Sequence, residues 1–146
     1  QTPQDSQKGD GETAQRTPYR EFESTRGRAI LVGRGAEEND TLSTRVARGR
    51  DLWFHARDWP GAHVILRMEN RDESPDREDF LDAATLAAHF SGGKGDTLVD
   101  VTYTRAKHVR KTKRLPPGRV FVADESVVGV QIEAERLQRL LAAERT

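Results

Sequence analysis

Trp53, His55 and Arg57 stand at alternate positions in DLWFHARDWPGAHVILR, residues 51–67. An extended chain sets all three on one face, because successive side chains of a strand point to opposite sides. An aromatic ring, an imidazole and a guanidinium make poor core. Together they make a platform on which a planar base can stack while a phosphate is neutralised. The competing reading packs Trp53 under a helix and lets His55 cap a backbone group. Leu52, Phe54 and Ala56 point the other way. Beyond the turn at Trp59-Pro60-Gly61, Ala62, Val64 and Leu66 continue the apolar side, and His63, Ile65 and Arg67 fall opposite them.

Four histidines, at 55, 63, 89 and 108, offer further chemistry. His55 and His63 lie eight residues apart across the turn and can meet on neighbouring strands. With Asp51 or Asp58 they would suit general acid–base work or a metal. Their spacing fits no metal motif, and neither a metal nor a cofactor is expected. His89 falls on an Ala-rich helix. Ser91 has no G-x-S-x-G around it, and SGGKGD lacks the P-loop spacing and follows a helix rather than opening one. No catalytic residue is assigned.

The formal charge is zero, with 24 basic and 24 acidic residues, but the two signs are segregated. YTRAKHVRKTKRLPPGR, residues 103–119, carries seven Lys or Arg and no acid, whereas ENRDESPDREDFLD, residues 69–82, carries seven acids and two arginines. A basic strip of this kind is a footprint for phosphate, and its binding would weaken steeply with salt. There is no cysteine and no run of eighteen apolar residues, so disulfides, thiolate metal sites and a membrane-spanning helix are not expected. No secretory h-region is visible at the start, and the cytoplasm is the expected compartment. The chain begins with Gln, which suits a fragment or a processed protein.

The elements that must position these residues can be read from pattern. Residues 1–17 are polar, with Ala14 the one aliphatic, and read as a disordered linker or tail. Residues 18–146 read as one domain. A hairpin is expected over 19–24 and 28–32, a short helix over 36–48 with Asn39, Leu42 and Val46 on one face, and strands over 51–57 and 62–67. Ser74-Pro75 reads as N-cap and first position of a buried helix that Gly92-Gly93 ends. A strand follows over 97–105, extending to about 111 with a bend. A hairpin is expected over 119–123 and 127–131, and a helix over 133–143. The order ββαββαβββα describes an α+β domain, a mostly antiparallel sheet covered by helices.

Residues 51–67 also resemble the signature of the NFACT-R (RNA-binding) domain, in which D-(I/L)-W-(F/L)-H-x-(R/K)-x-x-P-G-(S/A)-H-V recurs. ILVGRGAEENDTLSTRVAR is similar to the block preceding it, AATLAAHFS to its buried helix, and VDVTYTRAKHVRK with PPGRVFV to its basic segment. The likeness runs from about Tyr19 to Val130. It departs from the family at Gly35, often Asn there, and at Ser91-Gly92, where a Ser-Lys pair is common. Domains of this kind occur in ribosome-associated quality control factors of the RqcH and NEMF type, some bearing the older label of fibronectin-binding protein.

The resemblance implies an RNA-binding module whose partner is tRNA or large-subunit rRNA, with the large ribosomal subunit as the expected setting. The family's N-terminal, helix-hairpin-helix and coiled-coil parts have no counterpart in the 146 residues, so RNA binding carries over rather than tail addition. It implies a base or ribose at Trp53 or His55 beside His63, and phosphates at Arg57, Arg67, Arg105, Lys107, Arg110, Lys111 and Lys113. Gly33-Arg34 and Asn39-Asp40 would shape the adjoining loop. Two alternatives stay open: a docking domain for protein, including other domains of a parent, with an apolar patch at Trp53 and Trp59; and an RNA- or nucleotide-acting enzyme using His55, His63 and Asp58.

Overall fold

The computed structural model describes residues 17–91 and 98–145. Nearly all of the expected N-terminal tail, and the expected Gly92-Gly93 helix stop, lie outside those residues.

Six strands form one fully antiparallel sheet: β1 (Tyr19–Glu23), β2 (Ala29–Gly33), β3 (Leu52–Ala56), β4 (Val64–Leu66), β5 (Leu98–Arg105) and β8 (Ser126–Gln131), in the order β1-β2-β4-β3-β5-β8. The period-2 alternation decides which residues go where. Phe22, Ile30, Val32, Leu52, Phe54, Ala56, Val64 and Leu66 all point to the front face. There they pack under α2 (Arg77–His89) and the Leu140 side chain of α3 (Ala134–Ala142).

The back face is covered as well. Leu31, Trp53 and Ile65 point to it. Helix α1 (Ala36–Thr41) and one π-helical turn over Leu42–Val46 close over them, with Ala47 N–H reaching back to Leu42 O at 2.8 Å. Leu42 and Ser43 of this turn are buried. The remaining cover is a two-stranded ribbon, β6 (Val109–Arg110) paired with β7 (Phe121–Val122). The molecule is therefore three layers, not a sheet with one open face.

Three expectations change in detail. The N-cap of α2 is Asp76, not Ser74: its Oδ1 accepts from Glu78 N at 2.8 Å and Asp79 N at 3.3 Å, and a carboxylate at a helix start is favoured by the dipole as well. The segment read as one helix over 36–48 splits into α1 and the π turn. The expected hairpin of 119–123 with 127–131 does not form. β7 instead turns back to β6, Asp124 takes a left-handed φ of 52°, and β8 crosses to the sheet edge beside β5.

The acidic segment 69–82 is consumed in holding these layers together. Asp82, fully buried, accepts from Thr25 N and Oγ1 (both 2.7 Å), Arg136 Nη1 (2.7 Å) and Arg139 Nη2 (2.9 Å). Burial alone would raise this carboxyl; the bonds from Thr25, Arg136 and Arg139 outweigh it and hold the group below its usual range. Glu78 also pairs with Arg136 at 2.7 Å, and Glu73 with Arg28 at 2.5 Å.

Candidate nucleic-acid interface

The basic segment begins where β5 ends. It leaves the sheet at Arg105, crosses the back face as β6, loops over 111–120 and returns as β7. What fixes this loop is a set of polar contacts beneath it, from half-buried Lys111 and Asp40 and buried His63. Lys111 Nζ donates to Pro116 O (2.6 Å) and Arg119 O (2.8 Å) and lies 3.1 Å from Asp40 Oδ2. Gly118 N donates to both Asp40 carboxylate oxygens at 3.1 Å. His63 Nε2 lies 3.2 Å from Gly118 O.

A polar relay continues inward from His63. Its Nδ1 is 2.7 Å from Ser43 Oγ, and the Trp53 indole N–H donates to the same oxygen at 2.9 Å. A carbonyl can only accept, so Nε2 carries the proton toward Gly118 and Nδ1 accepts from the Ser43 hydroxyl. Every member is satisfied only when His63 is neutral. Its burial, and the neighbouring His55, push its pKa down to about 4. The His55 ring sits 5.2 Å from it and is also lowered, chiefly by burial.

Asn39 locks the Pro-Gly turn onto this framework. Its amide donates to Gly61 O at 3.2 Å and its carbonyl accepts from His63 N at 3.1 Å. A Cβ on Gly33 would lie 1.9 Å from Asn39 Oδ1, and one on Gly61 would lie 2.8 Å from Ser91 Cα, so both glycines are required by close approach. The V-G-R, N-D and P-G blocks of the sequence are thus one packed unit.

This unit walls an open cleft of about 1000 Å³ at the end of the sheet where β2 and β3 finish. Arg20, Arg34, His55, Trp59 and Arg119 line it. Trp59 is 38% exposed. Arg34 and Arg119 are exposed with no carboxylate within ion-pair distance among the described residues, whereas Arg20 is held by Glu144 through two bonds of 2.8 Å. A cleft with cations at its rim and an indole on its wall can hold a base and its phosphate.

The residues singled out from the sequence separate into two sets. Trp53 is 2% exposed and edge-on to His63 at 5.2 Å, so the expectation that it lies on a recognition surface is corrected: α1 and the π turn cover that face, and the indole is core. His63 is 1% exposed with both ring nitrogens bonded internally. Arg67 donates to Asp51 Oδ2 (2.8 Å) and Val46 O (3.1 Å). Arg105 binds the carbonyls of Arg50 and Glu73, and Lys111 is the loop's pin. Those five side chains build the site. Arg57, Lys107, Arg110 and Lys113 are exposed, and His55 is half-buried in the cleft. Sequence reading missed Arg20, Arg34, Trp59 and Arg119 as lining residues. The signal was the glycine beside three of them, Gly33-Arg34, Trp59-Pro60-Gly61 and Gly118-Arg119.

The net effect is electrostatic asymmetry. Asp40, Asp51, Glu73, Glu78, Asp82 and Glu144 are neutralised by Lys or Arg within the fold. Arg34, Arg110, Lys113, Arg114 and Arg119 have no such partner among the described residues and remain exposed, four of them along the 110–119 track. A chain neutral overall thus carries a locally positive segment, while Glu37, Asp72, Asp100, Glu125 and Glu135 are exposed without an ion pair elsewhere among the described residues. Among the described residues no group of three His, Asp or Glu side chains is placed to hold a metal, and no helix is long and apolar enough to cross a membrane.

Comparison with known proteins finds relatives of similar sequence and fold. The Rqc2 homolog RqcH of Bacillus subtilis is 38% identical over 135 residues, which is 92% of this chain and 23% of that protein. The Rqc2 homolog RqcH of Streptococcus suis is 36% identical over 111 residues, 76% of this chain and 20% of its own length. The chain therefore spans about a fifth to a quarter of these relatives. Coiled-coil domain-containing protein 25 of Mus musculus is 29% identical over 121 residues, 80% of this chain and 58% of that one. The solved C-terminal region of the fibronectin/fibrinogen-binding protein from Streptococcus suis superposes with a TM-score of 0.77 at 34% identity, covering 87% of this chain and 50% of that one. The family model described as the NFACT protein RNA binding domain matches residues 18–124, and the chain belongs to that family.

Proposed function

We propose that this domain is the RNA-holding module of a ribosome-associated quality control factor in the cytoplasm, and that it grips tRNA or large-subunit rRNA by its backbone. The observation that carries this reading is the pinned basic loop. Lys111 is spent on Pro116 O, Arg119 O and Asp40, and that internal pin leaves Arg110, Lys113, Arg114 and Arg119 exposed on a segment whose course is already fixed. Binding then costs little ordering entropy, and phosphates meet cations held in register. Trp59 takes the stacking role that the buried Trp53 cannot, beside His55 in the cleft. Arg57, at the same end of β3, extends the positive rim.

The test is tRNA binding measured over a salt series, beside a variant with Arg110, Lys113 and Arg114 all changed to Gln. Each lost phosphate contact should reduce the slope of log K against log salt by about 0.7 to 0.9, so the triple variant should lose roughly 2 to 3. Trp59→Ala should weaken binding about equally at all salt concentrations. Absence of binding by the parent domain at low salt would reject the reading. A docking role for protein is favoured by one other observation, the exposed Phe121 and Val127 at the β7 and β8 side of the molecule (56% and 43%). Co-purified protein released by Phe121→Ser, with no salt-sensitive RNA affinity, would select it.

A further inference from the structure

At the opposite end of the sheet from the cleft, Arg48, Gly49, Arg50, Arg71 and Lys107 enclose an open hollow of about 460 Å³ with no acidic residue in its wall. We propose that this is a second phosphate seat, at the start of the same basic track, that takes a phosphodiester of the bound RNA. The inference rests on the RNA-holding reading and adds a second point of grip to it.

The seat is built from backbone outward. Asp51, fully buried, accepts from Arg48 N (2.9 Å), Met68 N (2.9 Å) and Arg67 Nη1 (2.8 Å), and its own N–H donates to Arg48 O (2.8 Å). These bonds fold residues 48–51 into a fixed turn. The turn lies against the end of β5: Lys107 N donates to Gly49 O at 3.2 Å, Ala106 N to Asp51 O at 2.8 Å, and Arg105 Nη1 to Arg50 O at 2.8 Å. Gly49 approaches so closely that an added Cβ would be 3.3 Å from Lys107 Cβ. The closeness brings the Arg48 and Lys107 stems to one rim.

The charge is what calls for a ligand. Arg48, Arg71 and Lys107 are exposed, and among the described residues none has a carboxylate within 4.0 Å; Arg50 spends only its Nε, on Met68 O at 3.1 Å. Of the nearby acids, Asp51 is engaged by Arg67 and Glu73 by Arg28, while Glu69 lies 3.9 Å from Arg28 and Asp72 is exposed outside the hollow's wall. Four like charges around one hollow repel each other and are relieved by an anion. A phosphodiester fits best because the guanidinium fork matches phosphate oxygens. Lys107 opens the segment that runs on through Arg110 to Arg119 at the cleft, so one strand of RNA can touch both ends of the track.

Two measurements on the whole chain test this, both with a variant carrying Arg48→Gln, Arg71→Gln and Lys107→Gln. These side chains make no hydrogen bond or ion pair among the described residues, so the variant should melt with the parent. In amide NMR spectra, pyrophosphate should shift Gly49 and Lys107 saturably in the parent and in the Arg110/Lys113/Arg114 variant, but not in the seat variant. In the tRNA salt series the seat variant should lose about 0.7 to 0.9 from the slope, the share of one phosphate. Unmoved amides would overturn the proposal. So would pyrophosphate shifts with an unchanged tRNA slope, since the seat would then bind an anion but not the RNA. If the parent bound no tRNA, the functional reading and the RNA ligand would fall together, and the pyrophosphate response would stand as a separate result.

Discussion

Acidification should unfold this domain through His63 in a narrow window, and the size follows from the relay. The folded imidazole titrates near 4, against about 6.5 for an unperturbed histidine. The unfolded chain therefore binds more protons than the native one between these values, and stability falls as pH falls. The contribution is fully present above about pH 6.5; by pH 5 its loss is about 2 kcal/mol, and by pH 4 about 3. For a domain of this size, 2 kcal/mol lowers Tm by about 8 °C. The structural reason is that protonated Nδ1 can no longer accept from Ser43 Oγ, which already accepts from the Trp53 indole. His55, lowered by its own burial, adds in the same direction. Asp82 does not confuse the window, because its folded pKa is depressed and its stabilisation is lost only at lower pH. Urea unfolding at pH 7 and pH 5 measures the effect, beside His63→Gln, which should be less stable at pH 7 through its lost bonds but should lose much less on going to pH 5. Equal parent stability at the two pH values, or an equal fall in the variant, would refute the argument.

Gly33→Ala should destabilise by about 3 kcal/mol or more, because the new methyl displaces Asn39 and with it the bonds to Gly61 O and His63 N; thermal melts check this, and Gly33→Ala with Asn39→Gly should recover part of the loss. Asp51→Asn should cost about 3 kcal/mol, since Arg67 keeps its charge in a largely closed site without its partner. The same change should loosen the 48–51 turn, visible as faster amide exchange at Met68.

Much of the fold was legible in the sequence, because strict alternation in β3 and β4 sorts core from back face without any tertiary information. Leu52, Phe54, Val64 and Leu66 could be assigned to the core on that basis. The back face was harder. Alternation says that Trp53 and His63 share a side, but it cannot say that another layer lies over that side. That layer comes from α1, the π turn and β6–β7, elements far away in the chain or too short to show a period. The same limit applies to the basic strip. Seven cations in seventeen residues announce a positive segment; only the carbonyls of Pro116 and Arg119 and the Asp40 carboxylate reveal that Lys111 faces inward. Nor could composition show that the acidic segment is matched by Arg28, Arg136 and Arg139, two of them from the last helix. The hairpin expected around Asp124 failed for a related reason: a local turn signal fixes a reversal, not the strand that receives it.

The last residues of the described chain return to its first strand. Arg145 N donates to Glu21 O at 2.8 Å, and Glu144 holds Arg20 through two bonds of 2.8 Å. Mechanically, the domain is a nearly closed ring. Tension applied at its two ends would pass across this one clasp at the β1 edge and leave the other five strands of the sheet unloaded. The phosphate track lies on the part that stays unloaded while the clasp holds, so a pull too weak to open the clasp leaves the grip on a bound strand undisturbed.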